Sequence, residues 1–567
     1  MLPIITSNRS RGLAAWLTVA LAWLAAASFL LRHGFPRGTD WALELVRMAQ
    51  WRQALAEGQI PPAWAPDLYG GYGSPVFLFY PPLAPALAAV GSAVAASLIT
   101  LLIAVTGAAA MGLAASATTE DGERAGASRV AALTLVLQPY LLADLLLRNA
   151  QAELLALALL PLALTGLLGA DRRPHRAALL LALAVALVCL THPLTALTLM
   201  AILLAGGAFV LRRAAGWGAL AAGIGLGLLL SAWSWLPALV LGSWIRQGEL
   251  LRDRLDFHRN FLAPGQLIGH AHPFSAGWLG PAALLCLLGV LLAGRLSGAR
   301  RRAALAVLLG GAALLALQLP AATPVWEAVP WMPLLQFPWR LMGPLAVLSA
   351  LAAALVFGAF AGSPRVRRVL EIGVLALALL DALPILRAVR PLPPDVSAGL
   401  ERNLQPEAIR AFGHRGTVFD EYLPAGADPA LWRAGYPGPL LAASDGVRHR
   451  VVRDAGTSAE VEVEAPAGTV ALFARWFFPG WTATVDGAEV EVAQGPQGVL
   501  AVPVPAGRHR VAVRYRQPEI REVSGWLSLL GLAGCVWLVV AGRRAQRVPA
   551  EGKDADFAEG DGPGAGL

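Results

Sequence analysis

Two carboxylates lie four residues apart in the stretch RGTDWALELVR, directly after the first apolar segment of the chain. Asp40 and Glu44 would share one face of a helix, because side chains at positions i and i+4 are neighbours. Such a pair can supply a general base, or it can bind a divalent cation for a sugar or phosphate substrate. Thr39 or Asp40 can equally cap the helix that WALELVRMAQ predicts. Both interpretations stay open at this point.

A second group of ionisable residues surrounds position 148. Asp144 and Arg148 are four residues apart, and Asn149 and Glu153 follow them. Arg148 can bind a phosphate group in bidentate fashion, or it can form a structural ion pair with Asp144 at the membrane surface. Charged residues beside a membrane span are costly, which makes each of them a functional candidate by default.

Three further candidates are His192 in LTHPLTAL, Arg340 in QFPWR and the mixed-charge run 241–279. A single histidine is more often a hydrogen-bonded packing residue than a ligand. The mixed-charge run is typical of a solvated helix face, although it could also steer an anionic lipid-linked substrate. The sequence carries no Walker loop, dinucleotide-binding glycine pattern, HExxH or GxSxG motif, so nothing supports nucleotide-fuelled transport.

The composition places these residues in a membrane protein. Of 567 residues, 56% are hydrophobic and 14% are charged, and the mean hydropathy is +0.58, whereas about a quarter of an ordinary soluble domain is charged. A soluble globular protein is therefore excluded. The net charge of +8 comes from arginine clusters between apolar runs, which is typical of cytoplasmic loops and not of a nucleic-acid surface. Cys189, Cys286 and Cys535 each lie in an apolar run and predict neither a disulfide framework nor a metal site.

The apolar runs predict about twelve membrane spans, and the first, 13–31, is too long for the core of a signal peptide. The positive-inside rule places the arginine clusters and both termini in the cytoplasm. An even number of crossings then requires 83–97 to form a re-entrant or surface helix. The alternative is that 83–117 forms two short crossings and that a later pair of spans merges.

This topology divides the chain into a multi-span domain over 1–387, an outer domain over 388–523, a final span over 524–541 and a disordered tail over 542–567. The multi-span domain would carry outer loops at 32–82, 241–279 and 321–340. Charge counting alone then places five candidates on the outer face: Asp40, Arg148, Glu153, His192 and Arg340.

The outer domain shows alternating polar and apolar residues from about position 448. Such short segments between Gly/Pro turns predict an antiparallel β-sandwich. Asp486-Gly487, between TATV and AEVEV, predicts a hairpin turn. Trp476 and Trp481 can either bind a glycan on the surface of this domain or fill its core.

The stretch GTDWALELVRMAQWRQALAEGQIPPAWAPDLYGGYGSPVFLFYPPLAPAL (38–87) resembles the first outer loop of bacterial membrane proteins named 6-pyruvoyl-tetrahydropterin synthase-related. These proteins are similar to YfhO-type (YfhO-like) membrane proteins and, more distantly, to type-C (GT-C) glycosyltransferases. The resemblance covers most of the chain in order. It continues in QPYLLADLLLRNAQAELLALALLPLAL, LTHPLTAL, LLQFPWRLMGPLAVL, DEYLP and FFPGWTATVDG with VPAGRHRVAVRY. Nothing in these residues supports pterin chemistry.

The resemblance implies a polytopic fold whose first outer loop carries an acidic residue that acts on a polyprenyl-phosphate-linked sugar. Asp40 is the residue that matches. Members of the family often show a His-Asp pair with a second His four residues later, and here Thr39 and Glu44 occupy those two histidine positions. This departure argues against a metal-binding version. Tyr80 matches the start of the family's Tyr-Pro-Pro and joins the predicted substrate-binding residues.

We therefore expect a GT-C-type glycosyltransferase of the bacterial inner (plasma) membrane, which transfers a sugar from a polyprenyl-phosphate-linked donor to an envelope glycan or glycolipid on the outer face. The alternatives are a non-catalytic membrane protein that binds or moves an envelope glycolipid, and a scaffold for envelope assembly. No cofactor is predicted with certainty, and a divalent cation is compatible with the carboxylates. The predicted catalytic residues are Asp40 and Glu44, and the predicted substrate-binding residues are Arg148, Glu153, His192, Arg340 and Tyr80.

Overall fold

The structure is a computed structural model, and it describes residues 23–115, 121–442 and 446–547 together with Leu17, Ala20 and Leu21. Much of the first predicted span and the end of the predicted tail lie outside these residues. The remaining chain folds into a bundle of apolar helices followed by an antiparallel β-sheet domain and a last long helix. The predicted helical membrane protein with a β domain before its last span is therefore confirmed.

The first seventeen helices belong to the bundle and its connections. They are α1 (23–33), α2 (Trp41–Ala56), α3 (Val76–Phe79), α4 (Leu83–Val90), α5 (Ala93–Ala115), α6 (Asp121–Val136), α7 (Pro139–Ala143), α8 (Gln151–Gly169), α9 (Pro174–Thr191), α10 (Pro193–Val210), α11 (Ala214–Leu230), α12 (Ala232–Val240), α13 (Leu279–Leu292), α14 (Gly298–Ala316), α15 (Thr323–Ala328), α16 (Met342–Ala359) and α17 (Pro364–Ala388). The C-terminal part adds α18 (Pro394–Asn403), α19 (Pro406–Ala411), α20 (Pro429–Arg433) and α21 (Ile520–Arg547).

Seven helices of the described chain are long and apolar enough to cross a membrane, or up to ten spans if each of three bent helix pairs counts as one. These helices make the chain a membrane protein. The predicted count of about twelve is not confirmed. Part of the difference is the first span, which is largely outside the described residues, and part is α13, which has only 14 residues.

The three bends have local causes. The apolar stretch 125–148 breaks between α6 and α7, at 47°, because a proline follows Gln138 and disfavours helix at the preceding residue. The pair α14 and α15 bends by 97° where Pro320 opens a new turn. Between α11 and α12 the chain turns by 70° at Ser231.

The structure also divides the segment 83–97 between two helices. Residues 83–90 form the separate eight-residue helix α4, which is too short to cross a bilayer. Residues 93–97 instead begin the 23-residue helix α5. The prediction of one short surface helix over the whole segment is wrong in its boundary, since the break at Gly91 and Ser92 falls inside it. At the other end of the chain, α21 extends beyond both limits of the predicted span 524–541 and includes the first residues of the predicted tail.

The arginine-rich loops after α8 and α16 lie at one end of the bundle, because both helices begin at the other end, where Glu153 and Arg340 pair. The carboxylate of Asp171 accepts hydrogen bonds from the N–H groups of Arg212 and Arg213, which joins two of the clustered loops. The span Pro338–Ala359 runs through the centre of the bundle, and its apolar window is entirely buried. We call the opposite end of the bundle, where Arg148 lies, the outer end.

The C-terminal domain contains two antiparallel sheets, in the strand orders β1-β4-β8-β7 and β2-β3-β9-β5-β6. The strands are β1 (Leu440–Ala442), β2 (Arg448–Ala455), β3 (Ser458–Ala465), β4 (Thr469–Trp476), β5 (Trp481–Val485), β6 (Ala488–Val490), β7 (Ala493–Gln494), β8 (Val499–Val504) and β9 (Gly507–Tyr515). Alternate residues of β3 and β5 are buried, as the alternation predicts.

The hairpin prediction at Asp486-Gly487 is confirmed. Both residues have positive φ, 52° and 84°, and Val485 pairs with Ala488 across the turn. The alternating run that follows the turn, 488–493, does not form one strand, because the chain leaves one sheet after β6 and joins the other at β7.

Residues of the first outer loop pack into the core of the β domain. Trp64 is fully buried and lies edge-on to Trp481, with ring centroids 5.4 Å apart. Tyr72 stacks on Trp476 at 4.6 Å. Trp476 is 0% exposed and Trp481 is 7% exposed, so neither is available as a glycan platform, and the core interpretation holds for both.

We expect Gly73→Ala to destabilise this interface. A Cβ on Gly73 would lie 2.2 Å from Trp64 Nε1, and the residue also has φ +81°. Gly58→Ala is the matched control, because Gly58 has φ +84° but open space around the same position. Both variants carry the cost of positive φ, about 1–2 kcal/mol, and only Gly73→Ala adds the clash. Thermal unfolding in detergent should show the lower midpoint for Gly73→Ala, and equal midpoints would contradict this packing.

Candidate active site

Asp40 lies at the N-terminal boundary of α2, but its side chain does not cap the helix. Its N–H donates to the carbonyl of Arg148 at 2.8 Å, and the N–H of Thr39 donates to Leu147 at 3.1 Å. The carboxylate accepts a hydrogen bond from the Thr39 hydroxyl and lies 3.8 Å from Arg148 Nη2. The capping interpretation is therefore wrong for this side chain, which faces the second charged group instead.

The approach of these two backbone segments requires a glycine before Asp40. A Cβ on Gly38 would lie 2.2 Å from Asn149 Oδ1 and 2.7 Å from the carbonyl oxygen of Arg148. Asn149 itself adopts the left-handed conformation, with φ 62° and ψ 37°, which asparagine tolerates better than most residues. The segment 38–40 is thus held against the turn at 147–149 by main-chain contacts that any larger side chain would prevent.

Arg148 is the centre of a buried ion cluster. Its Nη1 lies 2.5 Å from Asp144 Oδ1 and 2.9 Å from Glu153 Oε2, and its guanidinium carbon lies 4.9 Å from the centre of the Trp339 ring. The side chains of Asp144 and Glu153 are 0% and 3% exposed, whereas that of Asp40 is 35% exposed. Asp40 is therefore the carboxylate of this cluster that a substrate can reach.

Arg340 joins the cluster from the start of the central span. Its Nε donates to Glu153 Oε2 at 3.2 Å, and its Nη1 donates to the carbonyl of Leu335 and to the side chain of Gln336. Its Nη2 has no hydrogen-bond partner among the described residues, and the side chain is 14% exposed. Arg340 thus retains a donor that an anionic group could use.

His192 and Tyr140 complete the surroundings of Glu153. The Tyr140 hydroxyl donates to Glu153 Oε1 at 2.6 Å. His192 serves as the N-cap of α10, since its side chain accepts from the Thr195 N–H and lies 2.8 Å from the Thr195 hydroxyl. Its ring is within electrostatic reach of Glu153 and Arg340. The packing interpretation describes the contacts of His192 better than a ligand role does.

Glu44 belongs to a second, neighbouring cluster. Its Oε1 accepts from the Tyr80 hydroxyl at 2.7 Å and lies 3.3 Å from Arg47 Nη1. Burial raises the pKa of Glu44 above that of an ordinary glutamate, and the opposite charge of Arg47 offsets this only in part. Arg47 in turn donates to the carbonyl of Gly416 at 2.8 Å. Glu44 and Tyr80 are therefore bonded to each other in the first turn of α2. Glu44 Oε2 has no hydrogen-bond partner among the described residues, but it is buried, whereas the Asp40 carboxylate is partly exposed.

The mixed-charge run 241–279 is a series of short turns and not one solvated helix. Its backbone pairs with the DEYLP segment, where Arg246 N–H donates to the carbonyl of Leu423. Hydrogen bonds that His258 donates to the carboxylates of Asp256 and Glu327 raise the pKa of this exposed side chain. These contacts give the run its own ionic partners at the outer surface.

The carboxylates do not form a metal centre. Across the residues that the structure describes, no group of three or more His, Cys, Asp or Glu side chains is placed to hold a metal ion. Asp144 and Glu153 do converge, but the guanidinium of Arg148 lies between them and pairs with both. Glu44 Oε1 is engaged by Tyr80 and Arg47, so neither pair of carboxylates offers an open divalent-cation site.

Sequence reasoning missed the aromatic residues of the site. Trp339 lies between Phe337 at 4.7 Å and Phe274 at 4.3 Å, and this stack covers the buried face of Arg148. Trp339 and Phe337 both belong to the QFPWR motif and precede Arg340 by one and three residues. This closeness to Arg340 could have indicated them as site residues. Phe274 comes from the outer loop 241–279, and no local pattern in that loop indicates its position.

No protein-family model and no curated protein matches the sequence. A cryo-EM structure of the arabinofuranosyltransferase AftD from mycobacteria aligns with 67% of this chain, at 19% identity and a TM-score of 0.43. This chain spans 27% of the length of that protein. The comparisons support neither the YfhO-type name nor the pterin synthase-related name.

Removal of the central guanidinium should destabilise the protein strongly. Arg148→Gln leaves the buried carboxylates of Asp144 and Glu153 without their main counter-charge, a change that typically costs about 3–5 kcal/mol. Arg252→Gln is the control, because Arg252 also pairs with a carboxylate, at 2.9 Å, but its side chain is 66% exposed, and such pairs contribute about 0–1 kcal/mol. Thermal unfolding in detergent measures both. Equal midpoints for the two variants would show that the cluster does not carry this stability.

Proposed function

We propose that the protein is a membrane glycosyltransferase that acts at the outer end of its helix bundle. The donor is a sugar linked to a polyprenyl phosphate, and the acceptor is a hydroxyl of an envelope glycan or glycolipid. The observation that carries the proposal is the reachable carboxylate of Asp40, which faces a buried arginine beside a second arginine with an unused donor. We further propose that the outer end faces away from the cytoplasm, in the bacterial inner membrane, with both termini inside.

Asp40 would act as the general base. The acceptor oxygen attacks the anomeric carbon of the donor, its proton passes to the Asp40 carboxylate, and the bond between the anomeric carbon and the phosphate oxygen breaks. Arg148 would orient Asp40, since its guanidinium lies 3.8 Å from the carboxylate. Both supports of Asp40, the ion pair and the main-chain bond, come from the same turn.

Arg340 would stabilise the leaving phosphate. The sequence predicts Arg148 as the main phosphate ligand, but three carboxylates already surround it, and a phosphate there would meet their negative charge. Arg340 pairs with one carboxylate and keeps Nη2 available. Donors that meet the developing negative charge of a leaving group commonly contribute more to catalysis than any other single factor.

Asp40→Asn should abolish sugar transfer while the protein remains folded. The amide cannot accept the acceptor's proton, but it preserves the size of the side chain and its hydrogen bond with Thr39. The assay is transfer of radiolabelled sugar from polyprenyl-phosphate donors by membranes with equal amounts of folded protein. The matched control is Asp395→Asn, which removes an exposed carboxylate from the first turn of α18.

Two outcomes would count against this role. Equal transfer by wild type and Asp40→Asn would exclude Asp40 as the base. Absence of transfer by the wild type with every donor and acceptor tested would favour the alternative, a protein that binds or moves a glycolipid without reacting it.

Arg340→Gln should lower transfer about 10²-fold or more, the usual consequence of losing one donor to a charged transition state. Arg448→Gln is the control, because Arg448 also pairs with a carboxylate but lies on the β domain with 82% of its side chain exposed. Initial rates should be compared at several donor concentrations, with thermal unfolding as the check on folding. Unchanged rates in Arg340→Gln would place the phosphate elsewhere.

A further inference from the structure

A groove opens on the side of the bundle near its arginine-rich end. It lies between the ends of α13 and α16 and the first turns of α17, and its volume is about 250 Å³. Its walls are apolar and include Gly289, Ala293, Phe360, Val366 and Leu370. Several of these residues are exposed, so the groove is open on the lipid-facing surface of the bundle.

Arg295 stands at the mouth of this groove. Its guanidinium lies 4.8 Å over the ring of Phe360, and the residue is exposed. It forms no ion pair with any residue in the described ranges 23–115, 121–442 and 446–547. A cation held over an aromatic ring beside an apolar groove remains free to bind an anion.

The surrounding loops share this positive charge. The segments 293–302 and 359–370 contain no Asp or Glu, and they carry seven arginines: Arg295, Arg300, Arg301, Arg302, Arg365, Arg367 and Arg368. The next acidic residue along the chain, Glu371, is paired with Arg129 at 2.5 Å. The N-terminus of α17 lies in the same place, and its first N–H groups also favour an anion.

We propose that this groove binds one anionic phospholipid. The acyl chain lies along the apolar walls, and the phosphate lies near Arg295 and the start of α17. Basic pockets between membrane helices on the cytoplasmic side bind anionic headgroups in this way. A zwitterionic lipid would fill the same groove but would bring no net charge to compensate the arginines. This proposal concerns the end of the bundle opposite Asp40 and does not depend on the glycosyltransferase activity.

The test is native mass spectrometry of the purified full chain, titrated separately with phosphatidylglycerol and phosphatidylcholine. The wild type should retain one phosphatidylglycerol in preference to phosphatidylcholine. Arg295→Gln should weaken retention of phosphatidylglycerol about fivefold, the effect of one basic residue near an anionic headgroup. Gly289→Leu should weaken retention of both lipids, because a Cβ added at this groove-lining position meets no protein atom within 4 Å and the rest of the leucine side chain would occupy the groove.

Two control variants separate this site from general effects. Arg172→Gln removes an exposed arginine from another loop at the same end, and Gly218→Leu adds a side chain at an exposed position of α11 that also has open space. Both controls should bind phosphatidylglycerol as the wild type does. The proposal is overturned if Arg172→Gln weakens binding as much as Arg295→Gln, if the wild type does not distinguish the two lipids, or if Gly289→Leu leaves retention unchanged.

Discussion

The outer end of the protein is organised around one buried guanidinium. The side chain of Arg148 is only 7% exposed, and an ion in such a position needs partners, because its desolvation costs several kcal/mol. The fold supplies them from three directions: Asp144 from the same turn, Glu153 from the first turn of α8, and Asp40 from the segment before α2. Since Glu153 also pairs with Arg340 at the start of the central span, the same network fixes α8 and α16 relative to each other.

The carboxylates of this region differ in how far they are buried and in which groups they contact. Asp144 and Glu153 are enclosed and neutralised by arginines, and Glu44 is enclosed and bonded to Tyr80. The side chain of Asp40 is 35% exposed, and it forms no capping hydrogen bond with α2. A group that must exchange a proton with a substrate needs this combination of access and a nearby fixed charge. The buried carboxylates of Asp144 and Glu153 fix the position of Arg148, and Arg148 in turn orients the accessible Asp40.

Much of this arrangement follows from the sequence, and the rest depends on contacts that no local pattern encodes. Charge counting placed Asp40, Arg148, Glu153 and Arg340 on one face, and the structure brings all four into one network, because charged residues tolerated beside spans tend to pair there. The bends between helices were missed because a hydropathy average over a long window stays high across a break of a few residues. The sequence left open whether Trp481 is buried or exposed. Strand alternation predicts which side of a sheet faces inward, but it does not predict which loop packs against that side.

That loop connects the site to the far end of the chain. The Gln50 side chain donates to Asp67 at 2.8 Å, and Asp67 pairs with Arg410 at 2.6 Å, while Arg47 donates to the carbonyl of Gly416. The body of α2 is therefore held by residues of the C-terminal region, whereas Asp40, the residue before the helix, is held by the turn at Arg148. Asp67 and Arg148, the central residues of the two supports, are buried, so loss of either support leaves unpaired polar groups inside the protein. The orientation of Asp40 accordingly depends on the helix bundle and on the region next to the β domain together.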